Sequence, residues 1–289
     1  MKQALLIGIN YTSDDNARLF GCVNDIVAMK NMLLDAYAYS GDNITLLRDD
    51  DEDKNVLPTR NNILHHLRSI AEKSENISEL WIHYSGHGSY VQDNNNDEND
   101  KHDEVIVPCD YKENGFIIDD ELRSILNTMK CLVYITMDCC HAGSLWDLPY
   151  TFPIRNNRIY RGLENRSGLK NRNVYMLSAS RDNQTAADYF NFEAKLPMGS
   201  FTMGIMECLR NRHHNVSLLQ LYVDVNNYMI KNNMSQRPVL SSSNHLPVYI
   251  RFERSGVVDQ QKRILDEQKR RSNDKGRVMR NTMKSIIGN

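Results

Sequence analysis

Two thiols and an imidazole follow an apolar run at Cys139-Cys140-His141, and a second imidazole follows another such run in Ser85-Gly86-His87-Gly88. A cysteine with a histidine as base is the minimum equipment for nucleophilic attack on a carbonyl. The base generates thiolate, backbone amides hold the developing oxyanion, and a pocket selects the substrate. His87 can be the base. Either Cys139 or Cys140 can be the nucleophile, because local chemistry does not separate neighbours on one turn. Gly86 and Gly88 leave the backbone beside His87 unencumbered, and the amides of Gly88 and Cys140 are candidates for the oxyanion hole. A buried histidine beside an inert cysteine is the plainer alternative. The placement of both groups at strand ends in glycine-containing turns weighs against it. Zinc on Cys139, Cys140, His141 and His87 is a further alternative, but structural zinc sites separate paired cysteines by two to four residues.

These groups need a rigid support. Leu132-Val133-Tyr134-Ile135-Thr136 and Leu80-Trp81-Ile82-His83-Tyr84 are apolar, largely β-branched or aromatic runs, and they read as buried strands. Both end where the reactive residues begin, so both deliver chemistry to the carboxyl edge of a sheet, where open α/β sheets form their ligand crevices. The rest of the chain fits such a sheet. Residues 4–9 and 44–47 read as strands. Val23, Ile26, Val27, Leu33, Leu34 and Tyr37 recur at helical spacing, as do Ile63, Leu64, Leu67 and Ile70 after a start at Pro58-Thr59. A short apolar run covers 105–107, and a helix opens at 117–122 with carboxylates in its first turn, where the helix dipole favours them. A strand at 174–179, helices at 200–211 and 217–231 and a last strand at 247–251 complete the reading. Strand–helix–strand alternation implies an α/β fold with a central, mostly parallel β-sheet flanked by helices on both faces.

Bulk properties exclude other classes. The chain has 289 residues and a formal net charge of −2, so nothing argues for nucleic-acid binding. No apolar run approaches the roughly 20 residues of a membrane span. The six cysteines show no disulfide framework, and the start of the chain lacks a signal-peptide pattern. Reduced thiols in a cytoplasmic compartment are therefore expected.

The two reactive segments, Ser85-Gly86-His87-Gly88 and Asp138-Cys139-Cys140-His141-Ala142-Gly143-Ser144, resemble the signature loops of metacaspases, in the caspase-like cysteine peptidase clan. The usual second loop has Ser where this chain has Ala142, a change that removes only a hydroxyl. The resemblance extends through Asp147-Leu148-Pro149-Tyr150, residues 182–188, Ser200-Phe201-Thr202 and Ser235-Gln236-Arg237-Pro238. His87 also lies 53 residues upstream of Cys140, near the roughly 50 expected in a caspase-like enzyme. The resemblance implies a caspase-like fold over residues 1–254. Within it, 1–152 would be the large-subunit-like part, 153–172 a basic linker and 173–254 the small-subunit-like part, with 255–289 a basic C-terminal tail. It makes Cys140 the nucleophile and His87 the base of a cysteine endopeptidase. A form without an N-terminal prodomain, acting as a monomer, is expected. A catalytically silent scaffold on the same fold is the competing class; the presence of every catalytic residue type counts against it.

Charge adds specificity. Asp138 precedes Cys140 by two residues and Asp25 lies on the first helix. Two carboxylates in one cleft attract a guanidinium or ammonium. The family pocket for Arg or Lys matches Cys22, Asp25, Ser85 and Asp138, so protein or peptide substrates with Arg or Lys before the scissile bond are expected. The acidic loop 91–104 is not an EF-hand, because Glu98 stands where glycine must turn the chain. The resemblance implies calcium as cofactor on Asp103, Asp119, Asp120 and Asp147, against the plainer reading of helix capping by Asp119 or Asp120. An enzyme cutting after basic residues could process itself within the stretch carrying Arg155, Arg158, Arg161, Arg166, Lys170 and Arg172. In the tail, Met279, Met283, Ile286 and Ile287 at helical spacing among basic residues could contact a membrane or partner, or form a partly disordered segment.

Overall fold

The computed structural model of the chain describes residues 1–53, 55–92, 102–140, 143, 145–156, 158–164, 168–179, 188–191, 196–234 and 236–255. In chain order the elements are β1 (Lys2–Gly8), α1 (Cys22–Ala36), β2 (Ile44–Arg48), α2 (Arg60–Glu72), β3 (Glu79–Ser85), β4 (Gly88–Gln92), β5 (His102–Ile106), α3 (Tyr111–Asn114), β6 (Ile117–Ile118), α4 (Asp119–Leu126) and β7 (Leu132–Asp138). There follow β8 (Tyr150–Thr151), β9 (Ile154–Arg155), β10 (Arg158–Ile159), β11 (Gly162–Leu163), β12 (Val174–Ser178), β13 (Asp188–Asn191), β14 (Leu196–Gly199), α5 (Ser200–Asn211), β15 (Val216–Ser217), α6 (Leu218–Lys231), β16 (Val239–Ser242) and β17 (Arg251–Phe252).

The main sheet has eight strands in the order β11-β8-β16-β12-β7-β3-β1-β2. Strands β2, β1, β3, β7 and β12 run parallel; β16, β8 and β11 continue the sheet antiparallel. Both faces are covered, which is why the central strands read as continuous apolar runs. Alternation sends Leu5, Ile7, Leu80, Ile82, Val133 and Ile135 into one core with α2 and α4. It sends Ala4, Leu6, Trp81 and Tyr134 into a second core with α1, α5 and α6. Thr59 caps α2 by accepting from the Asn62 amide, and Ser217 caps α6 by accepting from the Gln220 amide. Helix α1 begins at Gly21 with no side-chain cap of its own. Asn10, just past β1, supplies the acceptor instead: its Oδ1 receives the amides of Cys22 and Val23 at 3.0 and 3.4 Å.

Two expectations need correction. Residues 247–251 are not a strand of the main sheet; only Arg251–Phe252 pairs, with β15, and Tyr249 is 92% exposed. The sheet strand there is β16, whose Val-Leu-Ser-Ser sequence hides it: Ser241 and Ser242 are buried because their strand lies between β12 and β8. The basic stretch 153–172 is also not devoid of structure, since β9 pairs with β10 and β11 joins the main sheet through β8. Its Arg155, Arg158, Arg161, Lys170 and Arg172 are exposed, while Arg166 lies outside the described residues.

One buried polar group sets a pH response. His83 on β3 is fully buried, with Nδ1 2.8 Å from Thr136 Oγ1, which also accepts from Trp81 Nε1 at 3.1 Å. Burial pushes its imidazole pKa down to about 3, from the usual 6.5. Below pH 6.5 the unfolded chain takes up a proton at this residue that the folded chain refuses. Folded stability therefore falls by about 1.4 kcal/mol for each pH unit lost, down to the folded pKa. Urea titrations between pH 6.5 and 4.5 should show this slope in the wild type and a flatter one in His83→Gln; equal slopes would contradict it.

Candidate active site

Register brings the two reactive segments together. On neighbouring parallel strands, Ser85 at the end of β3 pairs with Asp138 at the end of β7. Two residues beyond this pair on each strand stand His87 and Cys140, so both leave the same carboxyl edge from strands about 4.8 Å apart. The loops then touch. A Cβ added to Gly88 would stand 2.0 Å from the Cys140 carbonyl oxygen and 3.3 Å from Cys139 Sγ. Only glycine allows this approach.

The two cysteines are not equivalent. Alternation along β7 sends Cys139 into the α2/α4 core, where it is fully buried, and burial holds its thiol well above the usual range. Cys140 is only partly buried. The reactive form of a thiol is the thiolate, so the buried Cys139 is the poorer candidate. His141, Ala142 and Ser144 lie outside the described residues.

His87 is held from four directions. Its amide donates to Tyr11 Oη at 2.8 Å, and its carbonyl accepts from Tyr84 Oη at 2.7 Å. The Tyr11 ring lies 4.6 Å from the imidazole, tilted by 36°. Nε2 is 2.7 Å from the carbonyl oxygen of Ala17. A carbonyl only accepts, so Nε2 carries the hydrogen, and in the neutral ring Nδ1 is the basic nitrogen. This arrangement can take a proton from a thiol and return it to a leaving group.

Beside these groups lies an acidic slot on the α1/α5 side of the edge. Asp25 is fully buried on α1. It accepts from Ser85 Oγ at 2.6 Å and from the Gly199 amide at 3.0 and 3.1 Å. Asp138 Oδ2 accepts from the amide and the hydroxyl of Thr202, both at 2.8 Å. Helix α5 has no cap from its own Gly199, so Asp138 caps it from across the sheet edge. A Cβ on Gly199 would stand 2.1 Å from Asp138 Oδ2 and 2.7 Å from Asp25 Oδ2. The two carboxylates thus converge on one glycine. Cys22, at the start of α1, is buried at the same edge: a Cβ on Gly8, which pairs with Ser85, would stand 2.5 Å from its carbonyl oxygen. Gly199, Tyr11 and Ala17 belong to this constellation and went unread in the sequence; Thr202 entered only as part of the resemblance, with no role attached. Ala17 contributes only a carbonyl, which leaves no signature in residue type.

A second acidic group gathers behind the Cys140 loop. One carboxylate oxygen each from Asp119, Asp120 and Asp147 lie within 4.8 Å of one another. Asp103, on β5, is buried but is not one of these three. Asp119 does not cap α4 as the plainer reading supposed. Its oxygens accept the Glu104 amide at 2.8 Å and the Asp120 amide at 2.7 Å, tying β5 to the helix start. Burial, and then the Asp147 carboxylate, push the Asp119 carboxyl up to about 7. Asp147 has φ of 48°, and its carbonyl accepts from Arg123. An all-oxygen set of crowded carboxyls, two of them buried, fits a hard divalent cation better than a soft one.

Comparisons with known proteins agree with this geometry. Residues 2–149 match the family model described as the metacaspase peptidase C14 domain. Metacaspase-1 of Saccharomyces cerevisiae is 32% identical over 87% of this chain and 68% of that protein. Metacaspase-1 of Pyricularia oryzae is 39% identical over 52% of this chain and 39% of its own length. The fold is shared with protein GSU0716 from Geobacter sulfurreducens (TM-score 0.61, 20% identity, 87% of this chain and 97% of that one). It is shared also with caspase-1 from Spodoptera frugiperda (TM-score 0.53, 12% identity, 84% of this chain and 87% of that one). With its cysteine- and histidine-bearing segments leaving one carboxyl edge of a caspase-like sheet, inside the matched segment, this chain belongs to the metacaspases, a family of cysteine peptidases.

Proposed function

We propose that the chain is a calcium-dependent endopeptidase that cleaves peptide bonds after Arg or Lys. The observation that carries this reading is the convergence of Asp25 and Asp138 on Gly199, next to the edge that bears Cys140 and His87. Two buried carboxylates this close repel one another, and a substrate guanidinium or ammonium would relieve that repulsion while forming charge-assisted hydrogen bonds. Cys22 and Ser85 complete the slot.

Cys140 gives its proton to His87 Nδ1, and its sulfur attacks the substrate carbonyl carbon. The amides of Gly88 and Cys140 receive the oxyanion. The C–N bond breaks as His87 returns the proton to the departing amine, which leaves a thioester on Cys140. Water then gives a proton to His87 and attacks the thioester; the C–S bond breaks to release the acid, and His87 returns the proton to the Cys140 sulfur. The Ala17 carbonyl keeps the imidazole in the required tautomer throughout.

Calcium would be held by Asp119, Asp120 and Asp147, together with Asp103 on β5. The cation supplies positive charge that allows all these carboxyls to ionise together. Asp147 lies in the segment between Cys140 and β8, so a cation held there would tie that segment to α4. Hydrolysis of an Arg-ended fluorogenic peptide should require added calcium and fall to background in a chelator; Asp119→Asn should raise the calcium needed at least about tenfold. Equal rates with and without chelator would remove calcium from the account. The exposed arginines at 155, 158, 161 and 172 support self-processing. Purified enzyme given calcium should yield fragments ending at a basic residue between 155 and 172, and Cys140→Ala should yield none. Intact wild-type chain that still hydrolyses the peptide would argue against it.

A further inference from the structure

His87 is held by a loop whose own anchors lie far from the reacting atoms. Tyr11 is fully buried, with φ of 53°, a conformation that a bulky side chain avoids unless its surroundings impose it. What imposes it is Asp49, buried after β2. Its Oδ1 accepts the Asn10 amide at 2.8 Å and its Oδ2 accepts the Thr12 amide at 2.9 Å, one on each side of Tyr11. Thr12 Oγ1 closes the clamp by donating to the Asp49 carbonyl at 2.8 Å.

From Tyr11 a relay of main-chain bonds runs to the imidazole. The Asp14 amide donates to the Tyr11 carbonyl at 2.9 Å, and the Ala17 amide donates to the Asp14 carbonyl at 3.0 Å. The Ala17 carbonyl then takes His87 Nε2. Asp14 is pinned independently, accepting from Tyr111 Oη at 2.8 Å and pairing with Lys112 Nζ at 2.6 Å. Tyr11 also reaches His87 directly. Its hydroxyl donates to the Val107 carbonyl at 2.7 Å while accepting the His87 amide, and its ring lies against the imidazole. One residue therefore fixes the His87 backbone, one side of its ring, and the start of the loop that carries its tautomer-setting acceptor.

We infer that Tyr11, locked by Asp49, is the positioning residue that keeps Nε2 of His87 on the Ala17 carbonyl and so leaves Nδ1 as the basic nitrogen. Neither group touches substrate. The inference rests on His87 being the base, as proposed above. Its consequence falls on the chemical step: loss of the Tyr11 contacts lets the ring rotate and change tautomer, which lowers kcat, whereas Asp49 also holds Asn10, the cap of α1, so the Asp49 variant is read by the tautomer and the alkylation rate and not by KM.

The test uses Tyr11→Phe, which keeps the ring and removes the hydroxyl, Tyr11→Ala, which removes both, and Asp49→Asn, which cannot accept both amides. Three quantities are read: kcat and KM on an Arg-ended peptide, the rate at which iodoacetamide alkylates Cys140, and the nitrogen-15 spectrum of His87. Wild type should show a single Nε2–H tautomer. Tyr11→Ala and Asp49→Asn should show mixed tautomers, with kcat and the alkylation rate down about 10- to 100-fold, and KM should stay within about twofold in Tyr11→Ala. Tyr11→Phe should fall between. A wild-type His87 spectrum and unchanged kcat in folded Asp49→Asn and Tyr11→Phe would overturn the inference, whether or not Tyr11→Ala folds. His87→Gln separates the two claims. Full activity in that variant would remove His87 as base, whereas the tautomer spectra judge the positioning directly.

Discussion

Replacing Cys140 with alanine should abolish hydrolysis of an Arg-ended peptide, lowering kcat by at least about 10⁴-fold, whereas Cys139→Ala should stay within a few-fold of wild type. The first figure follows from removing the only group that forms a bond to the substrate carbon; nucleophile deletions leave little beyond binding and oxyanion stabilisation. The second follows from burial. Cys139 faces the α2/α4 core and packs against Gly88, and its thiol is held well above the range in which thiolate forms at neutral pH. Truncating it removes core contacts at a cost of about 1–2 kcal/mol, visible as a lower denaturant midpoint and not as lost chemistry. Activity surviving in Cys140→Ala and vanishing in folded Cys139→Ala would reverse the assignment.

Neutralising the acidic slot should be nearly as severe. Asp138→Asn and Asp25→Asn each remove one of the two charges that would meet a cationic side chain in a desolvated site. Interactions of that kind are worth about 2–5 kcal/mol, so kcat/KM for an Arg-ended peptide should fall by roughly 10²- to 10³-fold. The reversal Asp138→Arg should eliminate cleavage after Arg. Because Asp138 also caps α5 through Thr202, part of any effect could arise from a frayed helix. The control is alkylation of Cys140 by a small neutral reagent, which needs the thiol and imidazole but not the slot, and should be little changed in the asparagine variants. Arg and Lys preference retained in folded Asp138→Asn would contradict the proposed specificity.

The elements that carry the chemistry were legible where both sheet faces are buried. β3 and β7 show as apolar runs that stop at reactive residues, because a strand covered on both sides has no polar alternation to blur its limits. β16 was not legible: its serines are buried by neighbouring strands, and nothing local distinguishes Val-Leu-Ser-Ser from a turn. The run at 247–251 misled for the converse reason, since apolar residues such as Val248 and Tyr249 are exposed. Within the site, His87 and Asp138 were readable by type and position beside the reactive cysteines, whereas Asp25, Ser85 and Cys22 entered as pocket residues through the resemblance. The choice between Cys139 and Cys140 was not, because it depends on which face of β7 looks into the core. Ala17 was beyond reach, as its contribution is a carbonyl oxygen presented by loop shape. Asp103 was named with Asp119, Asp120 and Asp147 only by the resemblance, since it lies on a different element, β5, and no spacing in the sequence links it to them.

The account is tested most directly by mapping where active-site-directed reagents bond. A peptidyl-arginyl and a peptidyl-aspartyl ketone of otherwise identical structure, each carrying a leaving group, are incubated with the calcium-supplied enzyme, and the labelled residue is found by mass spectrometry of its digest. The arginyl reagent should modify Cys140 at one equivalent per chain and the aspartyl reagent should modify nothing. Label on Cys139, or equal labelling by the two reagents, would contradict a thiol at Cys140 working beside a slot built for positive charge.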